Sequence, residues 1–142
     1  MPRFIAILDT MWGAKGRAPK CFFINPNNAS GRRLYKLTQA PASHLIIVNS
    51  CREQVGHANA HGTPDPEWLL ESLRSVPSLY RSGVLLVCGL VAQKTFDQIA
   101  EHWRGRVVRL PHPAARTWTK QQIADMQRHI AKVARTPDLR GI

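Results

Sequence analysis

Four short apolar runs constrain this chain more than any other feature: Phe4-Ile5-Ala6-Ile7-Leu8, Leu45-Ile46-Ile47-Val48, Val84-Leu85-Leu86-Val87 and Val107-Val108-Arg109-Leu110. A strand with one wet face alternates apolar and polar residues, whereas an unbroken run rich in β-branched side chains suits a parallel strand covered on both faces. Helical patterns fall between and after these runs. Asp65 is placed to cap a helix over 66–76 that has Pro66 at its first position and buries Leu69, Leu70, Leu73 and Val76. Ala92, Phe96, Ile99, Ala100 and Trp103 form an apolar stripe on one helix face. Thr119 and Gln122 have capping-box spacing, with Ile123, Met126, Ile130 and Ala134 continuing the stripe behind them. A shorter helix starts near Gly31 and carries Leu34 and Leu37. The alternation predicts an α/β fold, a three-layer αβα sandwich on a mainly parallel four-stranded sheet, with residues 1–142 as one domain.

Charge points to the partner. Twenty Lys and Arg against nine Asp and Glu leave a net +11, and the excess is uneven. Residues 1–40 carry seven bases and one acid, 41–103 four bases and six acids, and 104–142 nine bases and two acids. Two basic segments around a nearly neutral scaffold suit a polyanion, so DNA, single- or double-stranded, is the expected partner. No apolar run approaches the roughly 20 residues that cross a bilayer, and a membrane partner is not expected. The first residues lack the apolar stretch and small-residue cleavage site of a secretory signal, and Cys21, Cys51 and Cys88 do not read as a disulfide framework. A monomer in a reducing cytoplasm is expected, nucleoid-associated and of bacterial or phage origin.

Two long irregular stretches, 10–30 and 49–64, each follow a strand. Loops of this length in a small domain usually carry function, and α/β proteins bind ligands at the carboxyl ends of their strands. Asn49 ends the second strand and offers a donor and an acceptor together, the pairing that reads a base edge. His112 lies between Pro111 and Pro113 just past the fourth strand, on a backbone stiff enough to hold its imidazole in place. Cys51, His57 and His61 have a spacing that suits zinc, but no fourth ligand is evident, so no metal site is expected. Trp68 and Trp103 read as core or interface aromatics, while Trp12 and Trp118 sit beside the site loops.

These residues stand in an order: Asn49, Cys51-Arg52, Thr63-Pro64-Asp65-Pro66-Glu67, then Val87-Cys88-Gly89-Leu90-Val91-Ala92-Gln93-Lys94-Thr95-Phe96, then His112-Pro113. The ordered set resembles the uracil-DNA glycosylase superfamily over roughly residues 3 to 130, and order rather than any single motif carries the likeness. The resemblance implies that a strand-ending Asn, here Asn49, reads the uracil edge. It implies that a strand runs into a G-x-x-A-x-x-x-F helix, and that an H-P-S-P-like loop supplies a catalytic His, here His112, and a wedge residue. Gly31-Arg32-Arg33-Leu34 is similar to a segment of the thermophile-type branch that follows an aromatic stacking on the flipped base, which implies Phe22 or Phe23 in that role.

The chain also departs from the pattern. After the first strand it reads Asp9-Thr10-Met11-Trp12-Gly13, with no carboxylate at the usual position and Asp9 one or two places early. Ala114-Ala115 stands for Ser-Pro in the His loop, and Arg116 falls where an apolar wedge would enter a duplex. The iron-sulfur cluster of the thermophile branch is not expected, because Ser72 falls at one Cys position; no cofactor is expected.

The expected function is a DNA glycosylase that flips uracil or a 5-substituted pyrimidine and hydrolyses its N-glycosidic bond. His112 and Asp9 would be catalytic, and Asn49, Phe22, Phe23, Thr10 and Trp12 would bind the base. Arg116, Lys15, Arg17, Arg32, Trp118 and Lys120 would hold DNA. The alternatives are a catalytically inactive glycosylase-fold protein that binds DNA, and an enzyme acting on free nucleotides or nucleosides.

Overall fold

The computed structural model describes residues 2–9, 16–17, 19–54 and 62–136. Its main sheet has five strands in the order β3-β4-β1-β6-β7: β3 is Phe22–Phe23, β4 Leu45–Asn49, β1 Phe4–Leu8, β6 Val84–Cys88 and β7 Arg106–Leu110. The four apolar runs are the four parallel strands, with Phe4 level with Leu45 and Val84, and Val84 level with Arg106. The fifth strand was not in the sequence pattern. Phe22–Phe23 is a two-residue segment antiparallel to β4, too short to show alternation. A separate ribbon pairs β2, Gly16–Arg17, with β5, Glu53–Gln54.

Helices cover both faces, as the unbroken apolar strands require. On one face α1 (Ala29–Thr38) and α5 (Lys120–Arg135) bury Leu34, Leu37 and Ile130 against Phe4, Ala6, Leu45, Ile47, Leu86 and Leu110. On the other, α2 (Pro66–Ser75) and α4 (Leu90–Asp97) bury Leu69, Leu73, Ala92 and Phe96 against Ile5, Ile7, Val48, Leu85 and Val87. Asp65 accepts from the Trp68 amide at the start of α2, and Thr119 and Gln122 complete a reciprocal capping box on α5. The stripe from Ala92 to Trp103 is not one helix. α4 stops at Asp97, and Ala100–His102 forms a 3-10 turn, which still brings Ile99 and Trp103 onto the same core. The sequence pattern also does not mark the one-turn helix α3, Ser78–Arg81.

Gly31, early in α1, is required by a close approach: a Cβ there would stand 1.8 Å from the Asn25 carbonyl oxygen. Among the described residues no helix is long and apolar enough to cross a membrane.

The strand order puts β1 inside the sheet, with α1 leading from it to β4 on one face and α2 leading from β4 to β6 on the other. Consecutive connections therefore part at β1 and β6. Open α/β sheets leave a crevice at such a point, outside the carboxyl ends of the strands.

Candidate functional site

Asp9, Asn49, Gly89 and His112 each follow or end a parallel strand, so the register sets all four at one edge of the sheet. Asn49 is level with Leu8, and Cys88 with Leu110. Thr10, which follows Asp9, lies outside the described residues, as do Trp12, Lys15, His57 and His61.

Asn49 is 2% exposed, and neither its Nδ2 nor its Oδ1 has a hydrogen-bond partner. Among the described residues it is the one side-chain amide whose nitrogen and oxygen both stand buried and unpaired. Buried polar groups normally find partners, and each that does not costs about 1–3 kcal/mol. The next residues are by contrast fully tied. The Ser50 hydroxyl and amide both donate to the Leu8 carbonyl, at 2.9 and 3.0 Å, and the Cys51 amide donates to the Asp9 carbonyl at 3.1 Å. The backbone around Asn49 is fixed while its amide is left over.

Cross-strand pairing separates the two candidate aromatics. Phe22 is level with Ile47 and Phe23 with Ile46. Paired residues share a face and side chains alternate along a strand, so Phe22 lies on the face of Ile47 and Asn49. It is half-buried against the α1/α5 core. Phe23 lies on the opposite face, exposed, with its ring 6.3 Å from Tyr80 in an edge contact.

His112 is held at its ring, its carbonyl and its Cβ. Its Nδ1 accepts from the Ala114 amide at 3.1 Å, its carbonyl accepts from both the Ala115 amide at 3.0 Å and the Trp118 indole N–H at 2.9 Å, and Gly89 packs beneath it. Gly89 has φ +91°, a region that favours glycine, and a Cβ there would meet the His112 Cβ at 3.2 Å. A ring nitrogen that accepts a hydrogen bond carries no proton, so the neutral imidazole keeps its proton on Nε2. Burial lowers the His112 pKa below the ordinary 6.5, and the Asp9 carboxylate partly opposes that shift. Asp9 thus acts on the ring from the end of β1, across the end of β6. Asp9 itself accepts from the Cys51 thiol at 3.5 Å.

The sign of the pH effect follows. Because folding lowers the His112 pKa, the unfolded chain binds the proton more readily, and this group's contribution to stability is full above about pH 6.5 and is lost as pH falls towards the folded-state value. A histidine titration by NMR should give a midpoint below 6.5 for His112, and Asp9→Asn should move it lower still. A midpoint that rises in Asp9→Asn would mean that the carboxylate does not act on the ring.

The basic residues divide by what they touch. Arg52 pairs with Asp65, Arg109 with Asp97 and Arg128 with Asp125, while Arg106 donates to carbonyls at the end of α5. Arg32, Arg116 and Lys120 are exposed, and among the described residues none of them is in an ion pair. Arg17 lies in β2. Trp118 is not a free platform: it packs against the α1/α5 core with the Arg33 guanidinium 5.4 Å from its ring centre. Trp68 is buried, and the Trp103 ring packs on the α2/α4 core, as their sequence setting suggests.

Sequence reasoning missed Arg33, Gln93, whose side chain donates to the Leu110 carbonyl at 3.2 Å, and the Cys51–Asp9 contact. Only helical phase could have separated Arg33 from Arg32, since Arg33 is four residues before the buried Leu37. Two surface hollows, one lined by Leu73, Arg74 and Trp103 and the other by Phe4, Gln39 and Arg135, lie towards the opposite edge of the sheet from His112. No protein-family model matches the chain, and no curated protein or solved structure matches it.

Proposed function

We propose that this chain is a DNA glycosylase that extrudes uracil or a 5-substituted pyrimidine and hydrolyses its N-glycosidic bond. One observation carries the proposal: a buried amide with both polar atoms unpaired shares a sheet edge with an imidazole whose proton is on Nε2. A pyrimidine edge presents an acceptor and a donor side by side, which Asn49 matches, and Phe22 offers a ring on the same face. The alternatives account for less: a protein that only binds DNA has no need of a donor of fixed tautomer beside the amide, and an enzyme on free nucleosides has no need of the net +11 or of exposed basic residues such as Arg32, Arg116 and Lys120.

Each residue then has a step. The bond between the sugar C1′ and the base N1 breaks, and its electron pair leaves with the base. Negative charge grows on the base carbonyl, and His112 Nε2–H donates a hydrogen bond to it. A water adds to the oxocarbenium-like carbon, and its proton passes to Asp9 or to solvent; Asp9, just past β1, is the carboxylate that acts on the His112 ring. Arg116, Arg32 and Lys120 contact phosphates and set register without reading sequence.

Abasic-site formation on single- and double-stranded oligonucleotides carrying uracil and 5-substituted pyrimidines tests the activity. DNA affinity should fall about ten-fold or more between low and physiological salt, and Arg116→Ala should lower the slope of log affinity against log salt by about one. An inactive protein that binds DNA with this dependence would be the non-catalytic alternative. Absence of DNA binding at low salt would end both, and turnover of free nucleosides would replace them.

A further inference from the structure

The loop that carries His112 is tied to the start of α5. Trp118 is the residue just before the Thr119 cap of α5, in the position that packs against Ile123 in a hydrophobic staple, and both residues lie on the same core. Its ring is thereby set by the start of α5, and its N–H reaches the His112 carbonyl at 2.9 Å. Arg33 comes from α1, which packs along α5, and lays its guanidinium over the other side of this link at 5.4 Å from the indole centre. Arg33 enters no ion pair among the described residues, and its Nη1 is buried without a hydrogen-bond partner. Its described contact is therefore the ring face.

We propose that Trp118 and Arg33 are positioning residues for His112: the indole N–H, with the Ala115 amide at 3.0 Å, fixes the His112 carbonyl and is the one of the two donors that comes from outside the turn, and the stacked guanidinium keeps the indole in place. This rests on His112 being the donor to the departing base. The chain of contacts runs from α1 through the first turn of α5 to the loop after β7, so two helices on one face of the sheet set a side chain at its edge. Pro111 and Pro113 limit the backbone on either side of His112 but do not aim its carbonyl. The Ala114 amide on Nδ1 selects the tautomer only while the loop keeps this turn. Removing the indole N–H leaves the carbonyl to the Ala115 amide alone, at 3.0 Å, so the turn loosens and the ring then loses its fixed tautomer.

Trp118→Phe keeps an aromatic ring in the staple and removes the N–H; Arg33→Ala removes the stacked cation and Arg33→Lys restores a charge without the planar fork. The comparison is Ile130→Val, which loosens the same core without touching the loop. Two readouts apply to the whole 142-residue chain. The first is the 15N shift pair of the His112 ring, which reports the tautomer and needs no substrate. The second is single-turnover release of uracil from a single-stranded oligonucleotide.

In Trp118→Phe the ring should pass from one tautomer to a mixture, and the saturating single-turnover rate should fall on the order of 10- to 100-fold with the half-saturating enzyme concentration little changed, as expected for a reacting group displaced by about an ångström. Arg33→Ala should do the same to a smaller extent, Arg33→Lys should recover part of the loss, and Ile130→Val should leave both readouts as in wild type. A wild-type 15N pair and wild-type rate in Trp118→Phe would overturn the positioning role and leave the glycosylase proposal standing. A tautomer that depends on Trp118 in a protein that releases no base would do the reverse. Equal changes in Ile130→Val would reduce Trp118 to general stability and overturn the proposal.

Discussion

His112→Ala should lower the rate of base release by about 100- to 1,000-fold while DNA affinity stays near that of the wild type. The size follows from the kind of interaction. A donor aimed at charge that exists only as the glycosidic bond breaks stabilises the transition state and little else, so its removal appears in kcat and not in binding. Burial also keeps this imidazole neutral at physiological pH, and a neutral ring with its proton on Nε2 donates without first losing a charge to solvent. The variant should fold, because the loop remains tied by the Trp118 indole to a backbone carbonyl that alanine retains, and Gly89 meets less rather than more. His112→Gln, which keeps a donor at different reach, should recover part of the rate. Single-turnover abasic-site formation, with thermal melts as the folding control, measures this. An active wild type with an unimpaired His112→Ala would assign the donor elsewhere on the same edge.

The parts of this arrangement differ in how far they can be read from residues alone. The four parallel strands are legible because each is apolar on both faces, and Asp65 and Thr119 are legible because capping needs particular side chains at fixed offsets. Asn49 and His112 stand out in the sequence as polar residues at or just past the ends of such strands, and parallel pairing then brings their backbones to one edge. What periodicity could not show depends on three dimensions. Phe22 and Phe23 are equivalent in sequence and fall on opposite faces only once β3 pairs with Ile47 and Ile46. Trp118 reads as an aromatic beside a basic loop, and only packing turns its N–H towards the His112 carbonyl. The helix that ends at Asp97 keeps the apolar stripe beyond its end through a 3-10 turn, so the stripe marks the buried face correctly and the helix boundary wrongly. Arg106 shows the same limit for charge, since a base in a strand contributes to net charge but its donors go to the Ser82, Ala134 and Thr136 carbonyls.

Asn49→Leu should move stability and activity in opposite directions. Leucine has nearly the shape of asparagine and none of its polar atoms, and at a site where both of those atoms are buried and unpaired it removes a desolvation cost without opening a cavity. Unfolding free energy should rise by about 1 kcal/mol or more, read from a urea midpoint that shifts upward at unchanged m-value. Base release should fall on the order of 1,000-fold or more, because a site built to hydrogen-bond its substrate loses far more with the bond than a methylene pocket loses with a methyl. Asn49→Ala should lose base preference as well as rate but gain no stability, since the cavity it leaves offsets the relief. Opposed signs are what a ligand-reading residue requires, as its polar atoms are useful only when something else arrives to pair with them. If Asn49→Leu instead destabilises the fold, the amide has a partner in solution and is a structural residue of β4, and the base-reading role passes to another group on that edge.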